Sequence, residues 1–277
     1  MTAWLTSLAE LAPNLGAIVL DQWGVLHDGT EPYAGAVDAL TQLSDTGLPL
    51  AVLSNSGKRA APNLARITAM GFPSELFAAV MTSGEALWQD IAAGRVSARR
   101  FFAIERSAGD AVAWADGLDV TLSDTATDAE AILLMGLPDG VAPDRYDAVL
   151  GAGLPIFCTN PDRASPRSGG EIVVSPGALA HAAVDRGAHV TFYGKPHLPV
   201  FRAVEAQLGV PAARLLMVGD SLEHDIAGGA AAGWQTAFVR GGLHADAFKR
   251  GALDTALQQL IDAASAPAPT YTLASLG

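Results

Sequence analysis

A mostly parallel α/β sheet covered by helices on both faces, with a second α/β unit inserted into it, is the fold class this sequence predicts. Apolar runs of strand length alternate with amphipathic runs of helix length along most of the chain, the signature of parallel strands joined by helical crossovers. Several apolar runs end abruptly in a polar residue beside a small one, where such a sheet presents its chemistry. The length of 277 residues fits one large domain or a core with a smaller insertion, since domains commonly run to about 100–150 residues.

Taken in order, the first run is Ala17, Ile18, Val19 and Leu20, which delivers Asp21 into the loop Gln22, Trp23, Gly24, Val25. Leu50, Ala51, Val52 and Leu53 lead to Ser54, Asn55 and Ser56. The spacing predicts a helix over 58–70 with Gly71 as its carboxyl-terminal cap, and another over 83–93. From about 99 to 187 the alternation continues through apolar runs at 101–104, 131–135 and 154–158, and this stretch reads as an inserted α/β domain. Its most distinctive loop is Thr159, Asn160, Pro161, Asp162, Arg163, followed by Pro166, Arg167, Gly169, Gly170 and then Ser175, Pro176, Gly177, Ala178.

Val190, Thr191, Phe192 and Tyr193 then lead to Gly194, Lys195 and Pro196, and a helix is expected over 197–208. Leu215, Leu216, Met217 and Val218 end in Gly219 and Asp220, with Asp225 on what reads as the next helix. Two strand-end carboxylates, Asp21 and Asp220, suggest a divalent metal. Residues 263–277 are rich in Ala, Pro and Ser and are expected to be an irregular tail. Trp88 and Trp114 are expected to pack, and the single cysteine, Cys158, to be a buried strand residue that cannot form an internal disulfide.

Composition narrows the function. A net charge of −12 and a pI near 4.8 argue against a general nucleic-acid binder, because phosphate backbones attract clusters of Lys and Arg. Half the residues are apolar, yet no uncharged apolar stretch reaches the roughly 18 residues of a membrane span. Residues 1–11 show no basic region before an apolar one and so do not read as a signal peptide; a cytoplasmic protein without membrane attachment is expected. The only lysines are Lys58, Lys195 and Lys249. An acidic protein that handles an anion must concentrate local positive charge from a lysine, a metal or helix amino termini.

The aspartate of the first loop, the Ser-Asn turn, the Gly-Lys-Pro and the Gly-Asp with a later Asp resemble, in this order, the four motifs of the haloacid dehalogenase superfamily. The Thr-Asn-Pro-Asp turn and later Pro-Gly-Ala resemble the α/β cap of its class IIA branch, which holds nitrophenylphosphatase-like, phosphoglycolate and nucleotide or sugar phosphatases. The resemblance covers nearly the whole chain. It implies a Rossmann-like parallel-sheet core over 1–97 and 188–277, with an inserted α/β cap domain over 98–187.

It also implies a set of roles. Asp21 would attack phosphorus and become an aspartyl phosphate, a reaction open to a carboxylate once a cation neutralises the phosphate oxygens. Magnesium would be held by Asp21, the carbonyl of Trp23 and Asp220, with Asp225 behind them or reaching the metal through water. Lys195 would supply positive charge to the phosphate, while Ser54 and the amides at Asn55 and Ser56 would hydrogen-bond its oxygens. In the cap, Asn160, Asp162, Arg163 and Arg167 could face a small phosphorylated metabolite. A homo-oligomer is compatible with a sequence that does not specify oligomeric state.

One residue departs from the pattern. Most phosphatases of this superfamily carry a second aspartate two positions after the nucleophile to protonate the leaving group, and here that position is Trp23. A positioned general acid is worth about 10²–10⁴ in rate, so a slow enzyme, or one limited to good leaving groups, is expected. His27, Asp28 and His224 are candidate stand-ins, each set against the reading of a solvated loop residue. The rival functions are a non-catalytic phosphate-binding or regulatory protein and a hydrolase of a non-phosphate bond such as carbon–halogen. Phosphonate cleavage through a cap lysine is disfavoured, because the chain has no lysine between Lys58 and Lys195.

Overall fold

The structure is a computed structural model describing residues 2–166, 172–249 and 251–277. It divides into two compact units: one comprises the chain up to Ser54, Leu64–Met81 and Phe201–Gly277, the other Asn55–Asn63 and Thr82–Val200. In chain order the strands are β1 (Ala3–Trp4), β2 (Ala17–Leu20), β3 (Leu50–Ser54), β4 (Ala79–Thr82), β5 (Arg100–Ile104), β6 (Thr121–Leu122), β7 (Ala131–Leu134), β8 (Ile156–Cys158), β9 (Ala164–Pro166), β10 (Ile172–Val174), β11 (Val190–Phe192), β12 (Leu215–Gly219), β13 (Gln235–Val239) and β14 (Tyr271–Leu273). The helices are α1 (Ala36–Asp45), α2 (Ala60–Ala69), α3 (Ser83–Ala92), α4 (Asp110–Ala115), α5 (Asp147–Leu150), α6 (Pro176–Asp185), α7 (Leu198–Leu208), α8 (Ala227–Ala232) and α9 (Leu253–Ala264). The expected α/β class with a parallel sheet is what the chain forms.

Among the described residues, the larger sheet has the order β1-β14-β13-β12-β2-β3-β4, and β1/β14, β14/β13, β13/β12, β12/β2 and β2/β3 all pair in parallel. Its central strands read as unbroken apolar runs because both faces are covered: Ala17–Leu20 and Leu215–Val218 are each 0% exposed. Helices cover it with apolar stripes at helical spacing, as with Ala36, Leu40 and Leu43 of α1 and Ala256, Leu257 and Ile261 of α9. From β2 the chain runs to β3 and β4 on one side and later returns to β12, β13 and β14 on the other. The crevice beyond the carboxyl ends of β2 and β12 lies at that reversal, the usual ligand position in such sheets.

The smaller sheet, order β11-β8-β7-β5-β6, is likewise parallel. One face buries Ile104, Ile132, Leu134, Ile156 and Cys158 against Leu179, Ala180 and Ala183 of α6. Cys158 is the buried strand residue expected, its thiol pushed up to about 12 by burial. Trp114 is buried, donates its indole N–H to the Gly84 carbonyl at 2.8 Å and meets Phe101 edge-on; Trp88 carries the Arg59 guanidinium over its ring. The strand ahead of Lys195, β11, hydrogen-bonds to β8. Residues 190–192 therefore join this sheet beyond the 187 boundary expected for the insertion.

α2, α3 and α7 occupy the helices expected over 58–70, 83–93 and 197–208, and Gly71 takes φ +107° just past α2. The expectation of an irregular tail is overturned. α9 runs to Ala264, and Tyr271–Leu273 form β14, inserted between β1 and β13. The Thr272 hydroxyl is buried and donates to the Phe238 carbonyl at 3.0 Å. The Pro-rich connection before it is irregular, but three residues are too few for a two-residue period to show in the sequence. No helix among the described residues is long and apolar enough to cross a membrane.

Leu273 is 0% exposed, so Leu273→Ala should cost about 2–5 kcal/mol by urea denaturation. A change within about 0.5 kcal/mol, the usual result at a loose surface site, would show that β14 adds nothing to the sheet.

Candidate active site

Parallel register places the acidic residues. Leu20 of β2 pairs with Val218 of β12, so Asp21 and Asp220 leave adjacent strands on the same side, and the Asp21 N–H is bound by the Val218 carbonyl at 2.9 Å. Asp225 follows on a single wide turn, Leu222–Ile226, capped by Ser221. Each of the three carboxylates offers an oxygen within 4.8 Å of the others.

Backbone amides fix each carboxylate. Asp21 Oδ1 accepts from the Gln22 N–H at 2.7 Å, Asp225 Oδ2 from the Ser221 N–H at 3.1 Å, and Asp220 Oδ2 from the Leu243 N–H at 2.6 Å. Missing side chains make the room. A Cβ on Gly24 (φ +79°) or Gly242 would overlap the Asp220 carboxylate, and one on Gly219 would overlap that of Asp225. Sequence reading missed the Gly242-Leu243 turn; its signal was a Gly-Gly pair just past the apolar run of β13. Tyr33 was missed too: burial first, then the charge of Asp220, raises its phenol pKa.

Like charges this close repel unless a cation joins them. Oxygen-only donors suit a hard divalent ion such as magnesium. The donor set therefore fits the metal that the sequence suggested, with Asp21, Asp220 and Asp225 as the side chains that would hold it.

The loop after Asp21 turns back on itself, with the Gln22 carbonyl accepting from the amides of Leu26 and His27 at 2.8 and 3.2 Å. The Trp23 ring lies against Gly29, whose φ of +100° and lack of a Cβ make space for it. His27 is not the solvated loop residue considered above, since it is 0% exposed. Its Nδ1 accepts from the Gly29 N–H at 3.0 Å, and its Nε2 lies 3.4 Å from the Arg66 guanidinium, which also donates to Gln22 Oε1 at 3.1 Å. A second proton would add charge to a buried ring beside the Arg66 guanidinium. Burial, then Arg66, lowers its pKa to about 4, so His27 is neutral at pH 7. Asp28 is spent on its own turn, accepting from the amides of Thr30 and Glu31 at 2.9 Å each, and His224 lies beside the Ser221 hydroxyl at 3.2 Å.

Ser54 ends β3, next to β2 in the larger sheet. In the second unit Asn55, Asp162 and Lys195 come together: Asn55 Nδ2 donates to Asp162 Oδ1 at 2.7 Å and to the Lys195 carbonyl at 3.0 Å, while Asn55 Oδ1 accepts from the Lys195 N–H at 2.7 Å. Lys195 is 3% exposed. Ser56 accepts from the Lys58 N–H through its hydroxyl, and Asn160 Oδ1 accepts from the Asp162 N–H, each at 3.2 Å. Arg163 is exposed. Arg167 lies outside the described residues.

Family models of haloacid dehalogenase-like hydrolases match residues 18–115 and 72–233, and one of HAD-hydrolase-like proteins matches 192–276. Mouse (Mus musculus) chronophin is 27% identical over 248 residues, 86% of this chain and 85% of its own. The dihydroxyacetone phosphatase of Corynebacterium glutamicum is 26% identical over 82% of each chain. A crystal structure of a haloacid dehalogenase-like hydrolase from Brucella suis superposes with a TM-score of 0.79 at 29% identity, over 99% of this chain and all of the other.

Gly242→Ala should weaken magnesium binding by about 10–100-fold, the usual cost of disturbing a group that orients a metal ligand, with an unaltered circular dichroism spectrum. Unchanged affinity in a calorimetric titration would show that this turn does not set Asp220. The depressed His27 pKa means that the unfolded chain binds more protons between about pH 6.5 and 4. Stability should therefore be full above about pH 6.5 and decline towards pH 4, and urea denaturation of His27→Asn should show a shallower decline.

Proposed function

The chain belongs to the haloacid dehalogenase-like hydrolase family, and on that premise we propose that it is a magnesium-dependent phosphohydrolase of the class IIA type, acting on a small phosphorylated metabolite. The observation that carries this reading is the convergence of Asp21, Asp220 and Asp225, with oxygens within 4.8 Å of one another, at the point where strand order reverses. The phosphatase named among its relatives supports the reaction class.

Asp21, at the end of β2, is the nucleophile: a carboxylate oxygen attacks phosphorus, the ester oxygen leaves, and water then hydrolyses the aspartyl phosphate, regenerating Asp21 and releasing phosphate. The amide at Gln22 holds the Asp21 carboxylate through Oδ1. When bound, magnesium neutralises the charge of the phosphoryl oxygens and lets an anionic carboxylate approach. Lys195 adds positive charge, and Ser54 with the amides of Asn55 and Ser56 bind the remaining oxygens. Residues 98–187 act as the cap that excludes water.

The leaving group is the weak point. The Trp23 indole N–H is not acidic, His27 is neutral and buried, and Asp28 is bound into its own turn. The ester oxygen therefore departs with little help, which favours aryl phosphates and other acidic leaving groups.

Release of phosphate from aryl and alkyl phosphomonoesters, with magnesium and with chelator, tests this reading. Native protein should release phosphate from aryl esters only with magnesium, and Asp21→Asn should lose at least about 10³-fold, the scale for a nucleophile whose loss leaves only binding and electrostatics. Trp23→Asp should raise alkyl ester turnover by about 10²-fold or more. Full activity of Asp21→Asn would remove the covalent mechanism. No release from any ester by a protein that binds magnesium would leave a phosphate-binding module or carbon-centred chemistry.

A further inference from the structure

We infer that Asn55 is a positioning residue for Lys195 and that Asp162 acts through it, an inference that rests on the phosphate role given to Lys195. The Asn55 amide forms a two-point pair with the main chain of Lys195, accepting from its N–H at 2.7 Å and donating to its carbonyl at 3.0 Å. The same Nδ2 gives a hydrogen bond to Asp162 Oδ1 at 2.7 Å. A carboxylate accepts and cannot donate, so Asp162 dictates which end of the amide faces it. Flipping the amide would set oxygen against oxygen and undo both bonds to Lys195.

The surroundings are built for this junction. Gly194 has no room for a Cβ, because Pro161, the Ser83 hydroxyl and Asn55 Oδ1 crowd its Cα, and Gly177 is closed in the same way by the carbonyls of Pro161 and Asp162. On the far side of Lys195, the His197 N–H donates to the Gly194 carbonyl at 2.9 Å, and the His197 ring stacks on Phe192 with centroids 4.5 Å apart and planes at 10°. A lysine side chain has four rotatable bonds and places its charge poorly unless its base is fixed. Here the base is held at the peptide by Asn55, a residue 140 positions away.

From the sequence, Asp162 is among the cap residues that could face the substrate. A residue acting through Asn55 instead should be coupled to it, so that losing Asn55 masks the loss of Asp162. Amine acylation mapped peptide by peptide on the full chain reads this without turnover, because Lys58 and Lys249 have side chains 56% and 71% exposed and serve as controls. Asn55→Ala should raise Lys195 labelling by about tenfold, the scale of a lost buried hydrogen bond, and weaken inorganic phosphate binding in parallel. The isosteric Asp162→Asn should raise it less, and the double variant should match Asn55→Ala. If Asn55→Ala does not fold, Asp162→Asn alone must still raise Lys195 labelling. Unchanged labelling of Lys195, additive effects in the double variant, or equal increases at all three lysines would overturn the inference. Raised labelling with unchanged phosphate affinity would keep the positioning role and remove the phosphate role of Lys195.

Discussion

The constraint on which the site depends is the repulsion among three carboxylates held within 4.8 Å of one another. Leaving them ionised together is costly unless a cation joins them. The fold answers this with backbone. Three N–H groups, at Gln22, Ser221 and Leu243, each take one carboxylate oxygen. Because amides cannot be moved without moving the chain, the strand ends of β2 and β12 and the turn after β13 have to be where they are. That explains why glycine stands at 24, 219 and 242, where any Cβ would meet a carboxylate.

The loop that follows Asp21 is held by a polar cluster that does not titrate near neutral pH. Gln22, His27 and Arg66 form a polar cluster beneath it, and the Trp23 ring covers Gly29 above. A histidine kept neutral by burial and the Arg66 charge suits a structural post and not a proton carrier. The cluster holds the loop, and with it the Trp23 carbonyl, without contributing a titrating group near pH 7. Tryptophan here therefore belongs to a packed arrangement, in which an aspartate would have to displace apolar contact with Gly29 as well as bring its proton.

The second unit uses the same device of close backbone approach. Gly57 meets the Met135 carbonyl, Gly84 the Gly57 carbonyl, Gly177 the Pro161 carbonyl and Gly194 the Asn55 side chain. These contacts bring Asn55, the Thr-Asn-Pro-Asp loop and the Gly-Lys-Pro turn into one junction, although Asn55 lies more than a hundred residues from the other two. The Pro-Gly-Ala of the sequence has a physical reason in this arrangement: a side chain at Gly177 would force α6 off the loop that carries Asp162.

By itself the sequence determined the parallel α/β class, because unbroken apolar runs such as Ala17–Leu20 only make sense buried on both faces. It also determined the positions of α2, α3 and α7, whose apolar spacing and end signals are local. Asp21 and Asp220 were legible as carboxylates at strand ends, since a strand end is written into the few residues around it, and Asp225 as an acid on the element that follows. Tertiary structure alone decided what depends on distant partners. It made a strand of Tyr271–Leu273, which needs β1 and β13 on either side, and it gave β11 to the smaller sheet. It buried His27 under Arg66 from another element, and it placed Gly242 and Leu243 against Asp220. It also turned Asn55 towards Lys195 and Asp162. Local spacing reports propensity and face, whereas hydrogen-bond partners and neighbouring charges come from chain that lies far away in sequence, and those partners decide whether a histidine titrates or a lysine holds still.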